Sequence, residues 1–264
     1  TAMVVALNLS SFQNDLKKNT HLLKIILLVS LPMLLIILQP DAGSALVFMG
    51  IFFVLIREGL NLKFLFLAMG LSLIFILTLL FSPLNLSLVM GFIFFIIYNL
   101  IKRRYPKTKK SPFILTLILG IVFSCSVSLI FNTVFEQRHR DRFNIILGLE
   151  TDSRGIGYNI NQSKIAIGSG GFSGKGFLNG SQTKGNFVPE QETDYIFSIV
   201  GEEWGFLGSV TLILLFVILI FRIIYKAERH TSSYARIFSY TFASMLFVHF
   251  FVNIGMTLGL VPTV

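Results

Sequence analysis

Seven apolar runs punctuate the chain, at residues 22–38, 42–56, 62–82, 84–101, 112–131, 206–225 and 237–258, and polar or basic residues bound each of them. About 20 apolar residues at about 1.5 Å each cross roughly 30 Å of hydrocarbon, so the pattern predicts about seven membrane spans. The second run is short and reads as a tilted or partly re-entrant helix, and residues 1–16 (TAMVVALNLSSFQNDL) read as the tail of an earlier one. The long polar interval, 132–205, keeps apolar residues at Ile156, Ile160, Ile165, Phe172 and Phe187. A connection of that length is seldom empty filler, and this one is expected to fold onto the helices through short helical pieces. The expected fold is all-α: a polytopic integral membrane protein, one transmembrane helical bundle over 1–264 with a large extracytoplasmic loop. Because the chain opens on Thr1 and stops just after an apolar run, it is expected to be a fragment that lacks N- and C-terminal helices.

Composition supports the membrane reading and narrows it. At 54% hydrophobic and 13% charged the chain falls outside the range of soluble domains, whose charged share runs near a quarter. It is too apolar for disorder, and its lone Cys125, inside an apolar run, excludes a disulfide scaffold. The net charge of +9 is a topology signal and not a nucleic-acid footprint. If the loop from Lys102-Arg103-Arg104 to Lys110 is cytoplasmic, alternation puts Lys17, Lys18, Lys24, Arg57, Lys63, Arg222, Lys226, Arg229 and Arg236 on that side as well, and the charge-balanced 132–205 loop outside.

Three segments of the outer side carry candidate chemistry. Residues 155–176 hold seven glycines and the lysines Lys164 and Lys175 in 22 residues, a backbone able to approach a ligand closely with cations suited to phosphate, or a structural glycine-rich turn. The spacing is not that of a Walker loop. Next, Val188-Pro189-Glu190-Gln191-Glu192-Thr193-Asp194-Tyr195-Ile196-Phe197 gathers three carboxylates just before the chain re-enters lipid, with Glu202-Glu203 following. Acids at the mouth of a bilayer are costly and usually functional, but Asp194 near a helix start reads equally well as an N-cap. Third, Gln39-Pro40-Asp41-Ala42-Gly43 lies between two spans, either as a kinked junction capped by Asp41 or as a pocket wall facing the loop. His249 and Asn253, four apart in the last run, read as helix-packing polar contacts or as part of a route through the membrane.

In order and spacing these segments resemble the SEDS (FtsW/RodA/SpoVE) family of membrane glycosyltransferases, and the RodA branch more than the FtsW branch. The resemblance rests on QPDAGSALVF at 39–48, GIGYNINQSKIAIGSGGFSGKGFLNGSQ at 155–182, VPEQETDYIF at 188–197, GEEWGFLGS at 201–209 and VHFFVNIGMTLGLVPTV at 248–264. The chain departs from the family pattern by three spans, rather than one, between the helix after Gln39-Pro40-Asp41 and the long loop. The parity of the loop is unchanged.

The resemblance implies a peptidoglycan glycosyltransferase that polymerises lipid II on the outer face of the bacterial cytoplasmic (inner) membrane, for cell elongation and shape or cell division. It implies a class B penicillin-binding protein as transpeptidase partner, and Asp194 as the catalytic acid of the T-D-[FY]-I-F motif. Lys164 and Lys175, more weakly Arg142, are candidate pyrophosphate partners, and Gln162, Ser163, Gln39, Asp41, Glu190 and Thr193 complete the expected substrate-binding set. A divalent cation, Mg or Mn, bridging pyrophosphate and carboxylate would suit the leaving group, although no ligand cluster stands out; no organic cofactor is expected. Two other classes stay open: a flippase for a lipid-linked cell-wall precursor, which needs no covalent chemistry, and a scaffold that only holds the transpeptidase.

Overall fold

The structure, a computed structural model, describes residues 1–11, 19–38, 42–105, 110–133, 135, 137, 140, 141, 144 and 156–261. Every described element is a helix: α1 Ala2–Ser10, α2 Asn19–Ile37, α3 Ala42–Val47, α4 Gly50–Arg57, α5 Leu62–Leu80, α6 Pro83–Arg104, α7 Ser111–Thr133, α8 Ile156–Ser169, α9 Ser181–Lys184, α10 Ile196–Glu228 and α11 Ser233–Thr257. Five of them, α5, α6, α7, α10 and α11, are long and apolar enough to cross a membrane, and the stretches Thr20–Ile36 and Gly43–Arg57 are shorter apolar helices. Large apolar side chains stay exposed along the long helices, among them Phe66, Phe92, Ile118, Leu215 and Phe221. Lipid can cover such a surface and water cannot, so the protein is a multi-pass membrane protein. The apolar run at 42–56 resolves into two pieces, α3 and α4, separated by a turn at Phe48-Met49.

The chain divides into two compact units. The first comprises Thr1–Asn61 and Arg142–Val264. There α11 is the central helix, packing against α1, α3, α4, α8 and α10. Its neighbours close two apolar clusters, Val5, Ile25, Ile51, Leu55 and Leu60 in one, Ala6, Val54, Ala227, Ile237 and Tyr240 in the other. At the basic end of this unit Arg57 donates to Glu58 at 2.9 Å and to Glu228 at 2.7 Å, its guanidinium lies 3.8 Å from the centre of the Tyr240 ring, and the Tyr240 hydroxyl donates to Glu228. One cation thus ties α4, α10 and α11 together.

The second unit, Leu62–Asp141, is built on α5, α6 and α7. Ser82 caps α6 by accepting the Asn85 N–H at 3.4 Å, and Pro83 takes the first helical position, where its missing N–H costs nothing. Inside the bundle the Thr78 hydroxyl donates to Ser124 Oγ at 2.9 Å, a buried polar pair that joins α5 to α7.

Candidate functional site

The glycine-rich segment is used to repair a break in α10. At Gly205 the backbone is not helical (φ 62°, ψ −157°), which interrupts the two helical bonds that Phe206 and Leu207 would donate to the carbonyls of Glu202 and Glu203. The loop after α8 supplies the missing partners on both sides. Lys175 N–H donates to the Glu202 carbonyl at 3.1 Å and Gly176 N–H to the Glu203 carbonyl at 2.9 Å. The carbonyls of Gly171 and Phe172 accept from Phe206 at 2.9 Å and Leu207 at 3.1 Å. So close a graft needs bare backbone: a Cβ on Gly174 (φ 79°) would stand 2.1 Å from the Glu203 carbonyl oxygen, and one on Gly205 would stand 2.3 Å from the Gly174 nitrogen. The ring of Phe172 stacks on Phe206 at 5.9 Å over the junction.

Under this graft lies Glu202, fully buried at 0% exposure. Its carboxylate accepts from Lys175 Nζ at 2.7 Å, the N–H groups of Gln182 at 2.9 Å and Thr183 at 2.8 Å, and the hydroxyls of Ser169 and Ser181 at 3.3 Å each. Gly205 separates Glu202 from the apolar length of α10, so this carboxylate belongs to the folded loop. Burial alone would raise its pKa, but the Gln182 N–H, the Lys175 ammonium and the Thr183 N–H outweigh it and hold the group at about 2. Lys175 Nζ also donates to Ser181 Oγ at 2.7 Å. In the sequence Lys175 is a candidate phosphate partner and Glu202 one acid of a pair; the structure makes them one ion pair. The available signal was an acid pair beside an apolar run, which must find donors before it can be buried.

Asp194 sits eight residues earlier in a different setting. The Glu190 carbonyl, on a residue with φ 52°, accepts the N–H groups of Thr193, Asp194 and Tyr195, and this turn delivers the chain into α10. Tyr195, not Asp194, occupies the N-cap position. Asp194 is half-buried while Tyr195 is buried with Ile160, Ala166 and Val188, so the turn is anchored on α8. The Thr193 hydroxyl donates to the Glu190 carbonyl at 3.3 Å, and Asn253 Nδ2 of α11 reaches the Thr193 carbonyl at 3.4 Å. Thr193 and Ile196, on either side of this point, line a largely apolar cavity of about 460 Å³ between α10 and α11, with His249, Phe216 and Asn253 across it.

The other expected site residues are distributed around this core. Ser163 is fully buried and donates to the Thr257 carbonyl at 3.0 Å, fastening α8 to α11. Gln162 is half-buried and Glu190 exposed. Lys164 is exposed, makes no salt bridge among the described residues, and places its ammonium beside Gly259, where a Cβ would come within 2.9 Å of Nζ. Arg142, Gln39 and Asp41 lie outside the described residues. Among the described residues no group of three or more His, Cys, Asp or Glu side chains comes together in a way that could hold a metal ion.

A family model described as "Cell cycle protein" and named for FtsW, RodA and SpoVE matches residues 88–264. The peptidoglycan glycosyltransferase MrdB of Escherichia coli (strain K12) is 39% identical over 144 residues, covering 54% of this chain and 39% of that protein. The peptidoglycan glycosyltransferase RodA of Treponema pallidum (strain Nichols) is 34% identical over 262 residues, covering 88% of this chain and 58% of that protein. The chain therefore spans less than two thirds of the length of either relative.

Proposed function

Because the chain belongs to the FtsW/RodA/SpoVE family of cell cycle proteins, we propose that it forms the catalytic part of a peptidoglycan glycosyltransferase that polymerises lipid II into glycan strands. One observation carries the reading. Asp194 is half-buried on the turn into α10, and its neighbours Thr193 and Ile196 line an apolar cavity of about 460 Å³.

In the proposed reaction a sugar hydroxyl of one lipid-linked saccharide attacks the anomeric carbon of another. The new glycosidic bond forms as the bond to the lipid pyrophosphate breaks, and Asp194 takes the hydroxyl proton. A positioned general base contributes typically about 10²- to 10⁴-fold. Lys164, exposed on α8 and unpaired among the described residues, is the proposed partner of the leaving pyrophosphate. Lys175 is proposed as a second, indirect contributor, since its ammonium already serves Glu202 and Ser181. Arg142, Gln39, Asp41, Gln162, Ser163, Glu190 and Thr193 remain the proposed surroundings of the substrate. The described residues do not fit a metal held by the protein itself, so no step is routed through one. An Mg or Mn ion that arrives with the pyrophosphate is the form of the cation proposal that this arrangement accommodates. The names of the relatives favour the transferase over the flippase.

The proposed setting is the bacterial cytoplasmic membrane with α8, α9 and the Asp194 turn on its outer face, and the proposed partner is a class B penicillin-binding protein. In a Cys125→Ser background, a cysteine at exposed Asn179 is expected to react with an impermeant thiol reagent added from outside, and one at exposed Lys110 is not. The reverse labelling would overturn the orientation. For the activity, the full-length protein with its transpeptidase partner is given labelled lipid II, with and without Asp194→Asn. Loss of polymer is expected, and an unchanged polymer yield would return the flippase and scaffold readings to the front.

A further inference from the structure

The unit Leu62–Asp141 has a feature that glycan polymerisation does not use. Between α6 and α7 runs an open groove of about 420 Å³. Its α6 wall is the stripe Gly91, Phe94, Tyr98 and Lys102, spaced three or four residues apart so that they share one face, and Phe113 and Leu117 of α7 stand opposite. The groove is apolar along its length and basic at one end, where Lys102 and Lys110 both line it. The Lys102 ammonium lies 5.8 Å from the centre of the Tyr98 ring, and Tyr98 meets Phe113 edge to face at 5.5 Å, so an aromatic pair floors the basic end. Neither lysine makes a salt bridge among the described residues, and Arg103 and Arg104 add two more cations at the same end.

Position along the helix explains this polarity. The 22 residues of α6 are about 33 Å long, enough to cross the hydrocarbon and leave Lys102 at the boundary with water. A basic pocket between transmembrane helices at that depth, continuing into an apolar groove, matches a molecule with an anionic head and an acyl chain. We propose that the α6–α7 groove is a binding site for an anionic phospholipid, with the headgroup phosphate between Lys102 and Lys110 and an acyl chain along Phe94, Phe113 and Leu117. The proposal does not depend on the transferase reading; it needs only that α6 and α7 cross a bilayer.

The test uses the full-length protein in vesicles of phosphatidylcholine with one fifth phosphatidylglycerol, extracted gently and analysed for co-purifying lipid by native mass spectrometry. The parent is expected to retain phosphatidylglycerol over phosphatidylcholine. Lys102→Gln with Lys110→Gln is expected to lower that preference by about five-fold per lysine, the size of a single basic contact with an anionic membrane surface. Lys226→Gln with Arg222→Gln, equal in charge but on α10, is expected to leave it unchanged. Gly91→Trp keeps every cation and fills open space, since a Cβ at Gly91 meets nothing within 4 Å, and is expected to displace the lipid by blocking its chain. Retention of the two lipids by the parent in the one-to-four ratio of the vesicles would overturn the site. So would a preference untouched by the lysine substitutions, or one lost equally in the α10 control, which would mean diffuse attraction to the membrane surface.

Discussion

Asp194 and Glu202 lie eight residues apart at the head of α10, and the sequence presents them as members of one acidic stretch. Their surroundings divide them. Glu202 is fully buried and receives two backbone N–H groups, two hydroxyls and an ammonium, so its charge is well compensated where it sits. Asp194 is half-buried on a turn that places its neighbours Thr193 and Ile196 in the wall of a cavity. A carboxylate held by this many donors keeps structure together, and one carried on a turn at a cavity wall is placed to take a proton from a bound molecule. The number of acids in a motif therefore says less about chemistry than the surroundings in which each one is set.

The sharpest way to break this contrast is to neutralise the buried member. Glu202→Ala should destabilise the protein by about 3–5 kcal/mol, because it leaves the Lys175 ammonium and two inward N–H groups without their acceptor; thermal unfolding in detergent reads the loss. The same group sets an acid limit. Its folded-state pKa is about 2, below the unfolded value near 4.5, so its contribution of roughly 3 kcal/mol is complete above about pH 4.5 and is lost as the pH falls toward 2. A stability profile that is flat between those values, or identical in Glu202→Gln, would contradict the assignment.

Asp194→Asn should show the opposite signature: polymerisation down by at least about 10²-fold, roughly 2.7 kcal/mol in the barrier, with an unchanged Tm. Asn and Asp cap helices about equally well, so a capping role predicts little loss in either measurement. Glu192→Gln serves as the control, and a loss of equal size in it would point to local charge and not to a base.

A smaller effect is expected at the graft. Gly174→Ala places a methyl group against the Glu203 carbonyl at a φ of 79°, where the backbone conformation alone costs about 1–3 kcal/mol and the clash adds to it, and it should lower Tm without touching the cavity. The smallest effects separate the two lysines. Lys164→Ala should weaken apparent affinity for lipid II at constant Tm, with Lys164→Arg milder. Lys175→Ala should lower Tm as well, because it strips the ammonium from Glu202. Kinetics unchanged in both alanine variants would leave Lys164 as a solvated charge.

Much of the architecture is written in hydropathy. The runs at 62–82, 84–101 and 112–131 appear as α5, α6 and α7 with ends shifted by a few residues, because an apolar stretch of that length has no alternative in lipid to satisfying its backbone as a helix. Hydropathy does not foresee that α10 begins at Ile196, ten residues before its apolar run, since that opening segment is held by a loop and not by lipid. The glycines of 168–176 could be read as a ligand cradle or as a structural turn, because both require bare backbone. Only the pairing of Lys175 and Gly176 with the carbonyls of Glu202 and Glu203 decides that their close approach is to α10. For the site, the motif around Asp194 is legible as a motif, whereas the cavity beside it is assembled from α11, some sixty residues away in sequence.

The break at Gly205 also dictates an order of assembly. The length from Phe206 to Glu228 closes its own backbone bonds and can enter the bilayer as soon as it emerges from the ribosome. The carbonyls of Glu202 and Glu203 cannot be satisfied until residues 171–176 reach them. Those residues are made first and wait only about thirty positions upstream, so closure is local and the entropy of bringing the two segments together is small. The turn that carries Asp194 lies between the two grafted segments, where Tyr195 packs on Ile160 and Ala166 of α8. A nascent chain stalled before Leu207 would thus hold a complete motif and no site.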